Sequence, residues 1–365
     1  MAGRFLVLSA SMGAGHDAVA SELIRRLRAA GDSALLIDVL DLLPPGVGPG
    51  LRGFYRNAIR HAPALYAGLY AAFFRTGDGP RPGSTPLAAL AEKRLLRLVE
   101  GERPDAVVPV FHLAAQLTGR LRLRGALGVP SAVLVTDFAV HRQWLHPGND
   151  LYLCLTRRTA DDVHRMAERP AVACGPLVPD CFLGPAPGAG RWRRRLDGEG
   201  LPAVLISAGA WGAGTHFSRT ARLVAAAGYR AVVLCGRNEA LRRSLSRTPG
   251  VLAAGWVRDM PGLMAASRVL VDNAAGQTAL EALAAGLPVV GYRPIPGHGA
   301  QGVRLMAEHG LACRARDPWG LVRSLDALSA PGPQRDMRVA AGKALFTGHP
   351  GAVPALEELA ASAPR

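Results

Sequence analysis

At 365 residues the chain is too long for one compact core, and two domains are expected. A hydrophobic content of 49%, punctuated by 43 glycines and 28 prolines, excludes a disordered chain and points to a loop-rich globular one. The formal charge is +15, and all but two of the 43 cations (Lys93 and Lys343) are arginines, whose guanidinium groups fork onto phosphates; polyanionic partners are favoured, whether nucleic acid, anionic lipid or nucleotide.

Cys154, Cys174, Cys181, Cys235 and Cys313 form no CxxC pair, which reads as a reducing cytoplasm rather than a disulfide framework or zinc site. Only the seven residues "FLVLSAS" separate Arg4 from Met12, too few for a signal-peptide core. The uncharged apolar run 61–74 is 14 residues long, short of the roughly 20 that span a bilayer. Membrane contact is therefore expected to be peripheral.

Along the chain, "RFLVLSA" (4–10) reads as a strand and "DAVASELIRRLRAAG" (17–31) as a helix with a glycine stop. "SALLIDVLDLL" (33–43), "DAVVPVF" (105–111), "PSAVLVTDF" (130–138) and "LYLCLT" (151–156) are continuous apolar runs of the kind buried parallel strands show. Between them, "AALAEKRLLRLVEG" (88–101) is helical. "LVPDCFLGPAPGAG" (177–190) crowds prolines and glycines and reads as a linker. The alternation then restarts, with strands at 203–210, 230–236, 251–256, 268–273 and 288–292 and helices between. The fold expected is α/β, with two doubly wound Rossmann-like domains facing a cleft.

Residues 51–74 break the pattern. Phe54, Tyr55, Tyr66, Tyr70, Phe73 and Phe74 are interleaved with Arg52, Arg56 and Arg60, and Arg75 follows at once. This suits a helix lying in a lipid interface, and equally an amphipathic helix packed on its own sheet.

Three constellations carry chemistry. Gly13-Ala14-Gly15-His16-Asp17-Ala18 follows a strand and fits GxGxxG/A, with Asp38 placed like a ribose-binding acid, so a dinucleotide enzyme competes. No GK[ST] follows, which excludes a Walker A loop. His16 is awkward for that reading: in the first turn, beside exposed N–H groups, it would stay neutral as a base needs, or simply cap or pack. Next, Asp137, His141, Trp144 and His146 fall in ten residues after a strand, as a polar site or, less fittingly, a zinc site. Finally, "VDNAAGQTALEALAAGLPVVGYRPIPGHGAQ" (271–301) ends a strand in a small-residue turn before a helix near Gly276. Its amides would hold a diphosphate, with Glu281 one turn in to bind ribose hydroxyls. Thr278-x-x-Glu281 also reads as a capping box.

"SASMGAGHDAVASEL", "VTDFAVHRQWLHPGNDLYLCLT", "GPLVPDCF", "LISAGAWG", "VVLCGRNEALRRSL" and "GQTALEALAAGLPVVGYRPIPGHG", in this order, span residues 5 to about 305. They resemble the monogalactosyldiacylglycerol synthase and processive diacylglycerol glucosyltransferase family, relatives of the peptidoglycan glycosyltransferase that makes lipid II. The resemblance implies a GT-B fold and an inverting transfer of a hexose from a UDP-sugar to a lipid hydroxyl, with no cofactor and no bound metal; the chain has no DxD. It implies residues 1–180 as a membrane-facing acceptor domain, 181–345 as the UDP-sugar domain, and 346–365 as a helix crossing back. It makes His16 the base, with Asp137 supporting it. It places Gly13, Gly15, His141, Trp144, Phe73 and Phe74 on the acceptor side. Gly209, Ala210, Arg237, Asn238, Trp256, Val257, Gly276, Gln277, Thr278, Glu281, His298 and Gln301 fall on the donor side. The segment 51–74 matches the membrane-docking region, implying a cytoplasmic enzyme peripheral on the inner face of the plasma membrane, on anionic lipid.

Two loops depart from the family. Its turn usually reads Lys-Pro-Gly-Gly where this chain has Asp272-Asn273-Ala274-Ala275-Gly276, and its sugar loop reads Pro-Gly-Gln-Glu where this chain has Pro296-Gly297-His298-Gly299. The sugar is therefore left open, as is a soluble natural product or polyprenyl lipid as acceptor. A nucleotide-sugar epimerase, an NAD-dependent dehydrogenase and a non-catalytic nucleotide-sugar sensor remain as readings of another class. Nucleic acid is not expected, because Arg191-Trp192-Arg193-Arg194-Arg195 is the one dense basic run and suits a solvated helix.

Overall fold

The computed structural model describes residues 2–74, 83–196, 200–212 and 214–362. Arg75 of the aromatic–basic segment lies outside them. Contacts divide the chain into two compact units, the first Met1–Tyr55, Ala67–Leu177 and Gly348–Arg365, the second Arg56–Tyr66 and Val178–Thr347.

The first unit is built on β1 (Arg4–Ser9), β2 (Ser33–Asp38), β3 (Ala106–Pro109), β4 (Ala132–Leu134), β5 (Leu151–Cys154) and β6 (Ala171–Ala173). Strands pair in the orders β2-β1-β3 and β4-β5-β6, all parallel, and a bridge from Val107 to Ser131 joins the two sets. Phe5, Val7, Ala106, Val108, Ala132 and Leu134 bury one face. Leu6, Leu8 and Val107 bury the other with Leu113 and Leu117 of the helix His112–Leu123. Burial on both faces explains why these strands read as unbroken apolar runs. The helix Ala352–Ser362 belongs to this unit, its Ala352 and Leu356 buried among Phe5 and Val108. Leu356 is fully buried, and its truncation to alanine is expected to cost about 2–5 kcal/mol.

The second unit carries β7 (Ala203–Ser207), β8 (Arg230–Leu234), β9 (Val251–Ala254), β10 (Val269–Asp272), β11 (Val289–Tyr292) and β12 (Ala312–Ala315). They form one six-stranded parallel sheet in the order β12-β11-β10-β7-β8-β9. The order reverses between β7 and β10, as it does between β1 and β3 in the first unit. Such switch points open a crevice at the carboxyl ends of the strands, where ligands of doubly wound sheets bind.

Three local expectations are revised. The run 33–43 is not one strand. β2 stops at Asp38, whose carboxylate accepts the Leu40 N–H at 2.9 Å and turns the chain, so that Val39, Leu40, Leu42 and Leu43 drop into the core. The strands β6 and β12 were not read, being short and broken by the polarity around them. The segment 51–74 is not one interfacial helix but two, Val47–His61 and Pro63–Phe73, with Ala58, Ile59, Tyr66 and Tyr70 buried. Among the described residues no helix is long and apolar enough to cross a membrane.

Candidate functional site

In the first unit the helix Ala14–Ala29 starts behind β1, with Gly13 at its N-cap and no side chain capping the first turn. The Gly13 φ of −172° is open to any residue, and a Cβ there would meet nothing within 4 Å. The glycine leaves space rather than relieving strain. His16 lies in this first turn, its Nδ1 2.9 Å from the carbonyl oxygen of Val110, just past β3. A carbonyl only accepts, so Nδ1 carries the hydrogen and Nε2 keeps its lone pair. Phe111 meets the ring edge-on at 5.0 Å, and Thr136 Oγ1 lies 3.3 Å from Nδ1. Burial lowers the His16 pKa against the opposing pull of Asp137. The imidazole is thus neutral, in one tautomer, with Nε2 able to take a proton.

Asp137 Oδ2 accepts the indole N–H of Trp144 at 2.9 Å, and His141 Nε2 lies 3.6 Å from the same oxygen. Trp144 is 0% exposed and His141 5%. This corrects the expectation that they contact an acceptor. They lie under Asp137 and hold it, because an indole and an imidazole stacked at 5.9 Å fill the core beneath the loop. The loop is pinned from behind. Gln116 Nε2 donates to the carbonyls of Gln143 and Leu145 at 2.9 and 2.8 Å, and Asn149 Nδ2 donates to that of Ala115 at 3.0 Å. His146 faces inward too: its Nδ1 accepts the Gly148 N–H at 3.1 Å, and burial lowers its pKa.

The half-buried Phe74 ring and the backbone of Phe73 belong to the same scaffold. The Phe73 carbonyl accepts from Gln143 Nε2 at 2.8 Å, while the Phe74 ring stacks on Tyr70 at 5.1 Å and meets His112 and His141 edge-on at 5.0 Å each. The large apolar side chains of this segment that face solvent are Phe54 (51%) and Leu65 (52%). Asp38, the would-be ribose acid of a dinucleotide site, is occupied: its Oδ2 takes the Ser11 hydroxyl, the Ser11 N–H at 3.3 Å and an Arg52 ion pair at 3.1 Å.

In the second unit β10 ends at Asp272, which is buried and accepts the N–H groups of Ala274 and Ala275 at 2.9 and 2.6 Å. Burial raises its pKa. This carboxylate fixes a turn in which Ala275 takes the left-handed φ of +53°, and the helix Gln277–Ala284 follows from Gly276. Gly276 has no side-chain cap, a Cβ on it would meet nothing within 4 Å, and no acid occupies the first turn. The capping-box reading is corrected: the N-cap is Gly276, two residues before Thr278, so Thr278 and Glu281 do not stand at the positions a capping box requires. No hydrogen bond or ion pair engages the Glu281 carboxylate among the described residues, and burial lifts its pKa to about 7. A half-buried carboxylate without a side-chain partner among the described residues thus stands one turn inside an uncapped helix start.

The loop 295–302 packs on this turn. The Ile295 N–H donates to the Asn273 carbonyl at 2.8 Å, and a Cβ on Gly299 would come within 2.9 Å of that same oxygen. His298 opens the helix His298–Glu308, and its Nδ1 lies 2.8 Å from the Tyr66 hydroxyl; the Gln301 N–H donates to the Gly297 carbonyl at 3.1 Å. After β7 come Gly209 and Gly212, with φ of +66° and +62°. A Cβ on Gly236 would lie 2.4 Å from the Gly209 carbonyl, so the loop sits hard on the end of β8. Asn238 Oδ1 is spent capping the helix Glu239–Leu245 through the Leu241 N–H at 3.0 Å. The Arg237 guanidinium lies over the Trp256 ring at 4.8 Å and faces Trp211 at 5.8 Å. Trp256 is 53% exposed, with half-buried Val257 beside it.

Sequence reading missed Val110 and Thr136, which orient His16 but carry no local signal. It also missed Arg293, which takes φ of +48° at the end of β11 and lines a small crevice with Ser207, Thr220 and Asp272 at the β7/β10 switch point. Among the described residues no three His, Cys, Asp or Glu side chains gather as a metal-ligand set.

Comparison with known proteins finds similar families and folds. The monogalactosyldiacylglycerol synthase family model matches residues 16–175, and the glycosyl transferases group 1 model matches 199–330. A processive diacylglycerol beta-glucosyltransferase of Bacillus mycoides is 26% identical over 89% of this chain and 85% of its own. Acinetobacter baumannii MurG is similar in structure with a TM-score of 0.59 at 15% identity, covering 99% of each chain. Arabidopsis thaliana UGT89C1, solved with UDP-L-rhamnose, gives 0.65 at 13% identity, again over 99% of each.

Proposed function

We propose that this glycosyltransferase, with two Rossmann-like domains of the GT-B kind, moves a hexose from a UDP-sugar to a hydroxyl of a diacylglycerol-type lipid, with inversion and without metal. The observation that carries the reading is His16: a neutral imidazole whose Nδ1 is tied to the Val110 carbonyl, leaving Nε2 as the proton acceptor. The acceptor hydroxyl oxygen attacks C1 of the sugar from the face opposite the diphosphate. The new C1–O bond forms as the bond from C1 to the phosphate oxygen breaks, and the hydroxyl proton passes to Nε2. The imidazolium so formed is favoured by the Asp137 carboxylate, which already raises the His16 pKa against burial.

The second unit holds the leaving group. The diphosphate lies against the first-turn amides from Gly276 to Thr278, where the helix end carries partial positive charge and no acid competes. Preorganised donors of this kind are commonly worth ~3–4 kcal/mol each in the transition state. Glu281 accepts the two ribose hydroxyls, Arg237 adds a cation, and the exposed Trp256 indole takes the base by stacking. His298 and Gln301 read the sugar. The relative named for diacylglycerol supports the lipid acceptor, and exposed Phe54 and Leu65 suit a membrane surface. The test is UDP release across a matrix of UDP-sugars against diacylglycerol in anionic vesicles and soluble alcohols. Turnover confined to one UDP-hexose with lipid is expected; turnover only with soluble acceptors would remove the lipid.

A further inference from the structure

Residues 56–66 pack within the second unit although the sequence places them far from it. Arg60 is the contact that matters. Its Nε donates to the Trp211 carbonyl at 2.7 Å, across 151 positions of sequence. Trp211 sits in the glycine-rich loop after β7, and all four carbonyls from Gly209 to Gly212 are held. The Gly209 oxygen takes the Gly212 N–H at 3.2 Å, and that of Ala210 takes the Arg237 N–H at 2.8 Å. Arg60 takes the Trp211 oxygen, and Asn238 Nδ2 reaches that of Gly212 at 3.5 Å.

In a trans peptide the carbonyl and the next N–H point opposite ways. With the carbonyls of Gly209 and Ala210 anchored, the N–H groups of Ala210 and Trp211 face away from those anchors, and neither has a partner among the described residues. Two successive unpartnered amides, flanked by Gly209 and Gly212 of positive φ, offer donors to an anion. Arg60 fixes the peptide plane joining Trp211 to Gly212, and the Gly212 N–H on that plane closes the turn back to Gly209. A cationic donor on one carbonyl also polarises the bond at the other end of the same peptide.

We propose that Arg60 is a positioning residue for the donor: through the Trp211 carbonyl it holds the 209–212 loop with its Ala210 and Trp211 amides set to receive the diphosphate. The proposal rests on the donor site lying in the second unit. Arg56 provides the internal control, because it meets only the face of Trp211, at 5.8 Å, and bonds no loop carbonyl.

The experiment titrates UDP into the full-length protein by calorimetry and measures donor KM and kcat for the wild type, Arg60→Ala, Arg60→Lys, Arg56→Ala and Glu281→Ala. Arg60→Ala should raise the UDP Kd and the donor KM about tenfold with kcat within about threefold, as loss of a charge-assisted hydrogen bond predicts. Arg60→Lys should recover part of the loss, and Arg56→Ala should stay within about twofold. A lower melting temperature in Arg60→Ala with unchanged Kd and KM overturns the proposal. Should Arg60→Ala fail to fold, Arg60→Lys decides, with amide exchange read at Ala210–Gly212: faster exchange with a raised KM supports it, wild-type values of both overturn it. Wild-type protein that takes up no UDP ends the donor-site reading and this proposal together. UDP binding lost in Glu281→Ala but intact in Arg60→Ala ends this proposal alone.

Discussion

The chain contains the same local device twice, and the two copies differ in what surrounds them. Gly13 and Gly276 each follow a parallel strand, each starts a helix without a side-chain cap, and each leaves open space where a Cβ would stand. They differ in what surrounds the helix start. At Gly13 an acid, Asp17, already sits in the first turn, bonded to the Ser9 hydroxyl at 2.7 Å. The would-be ribose acid Asp38 is taken up by Ser11 and Arg52. A diphosphate there would meet a carboxylate, and a ribose would find no free one. At Gly276 the first turn has no acid, Asp272 is turned back onto Ala274 and Ala275, and the Glu281 carboxylate has no partner among the described residues. In the proposed function, one strand–glycine–helix turn is a platform for a base and the other a cradle for an anion. Burial keeps the imidazole neutral at the first, and the helix dipole would favour a phosphate at the second.

The largest expected effect breaks the pair cleanly. His16→Ala should lower turnover by roughly 10²–10⁴-fold, as removal of a general base does, while UDP affinity stays at the wild-type value. Stopped turnover with lost UDP binding would instead put the nucleotide on the first turn. Next in size, Glu281→Ala should weaken UDP itself by about tenfold or more, since two ribose hydroxyls lose a charged acceptor. Normal UDP affinity in that variant would leave Glu281 without a role in binding.

The pH dependence sharpens the same contrast. Burial lifts the Glu281 pKa from an ordinary 4.5 to about 7, so the folded protein holds this proton more tightly than the unfolded chain does. The associated stability is full below pH 4.5 and is lost as pH rises through about 7. Carrying this ionised carboxylate at pH 8 therefore costs the ligand-free protein stability. Glu281→Gln should melt higher than wild type at pH 8 and bind UDP worse. Ribose hydroxyls donate to the ionised form, so wild-type UDP affinity should fall about tenfold from pH 8 to pH 6, with a flatter profile in the Gln variant. A pH-independent difference between the two would show that the carboxylate does not titrate in this range. The smallest effects concern the membrane. Phe54→Ser and Leu65→Ser should reduce flotation with anionic liposomes by a few fold, and Phe74→Ser should leave flotation intact, since its ring is packed against Tyr70 and His112. Equal loss in all three variants would mean that Phe74 faces lipid.

Much of this could be read in the sequence because it is local. Buried parallel strands wrote themselves as apolar runs, and both glycine turns and the Asp137 loop stood out by spacing. What could not be read was set by neighbours distant in the chain. His16 owes its tautomer to Val110, 94 positions on, and the Trp211 carbonyl owes its partner to Arg60. Trp144 looked like a ligand contact because an aromatic beside an acid and histidines has the same composition whether it lines a site or lies beneath one; only its complete burial separates the two. The Thr278–Glu281 pair imitated a capping box because its spacing is right and its position two residues wrong, which depends on where Asp272 makes the chain turn.

The most direct test of the central claim is a crystal structure of the UDP complex. The account predicts the diphosphate against the amides from Gly276 to Thr278 with the ribose hydroxyls on Glu281. A nucleotide lying along Gly13 to Gly15, with its ribose toward Asp38, would contradict it.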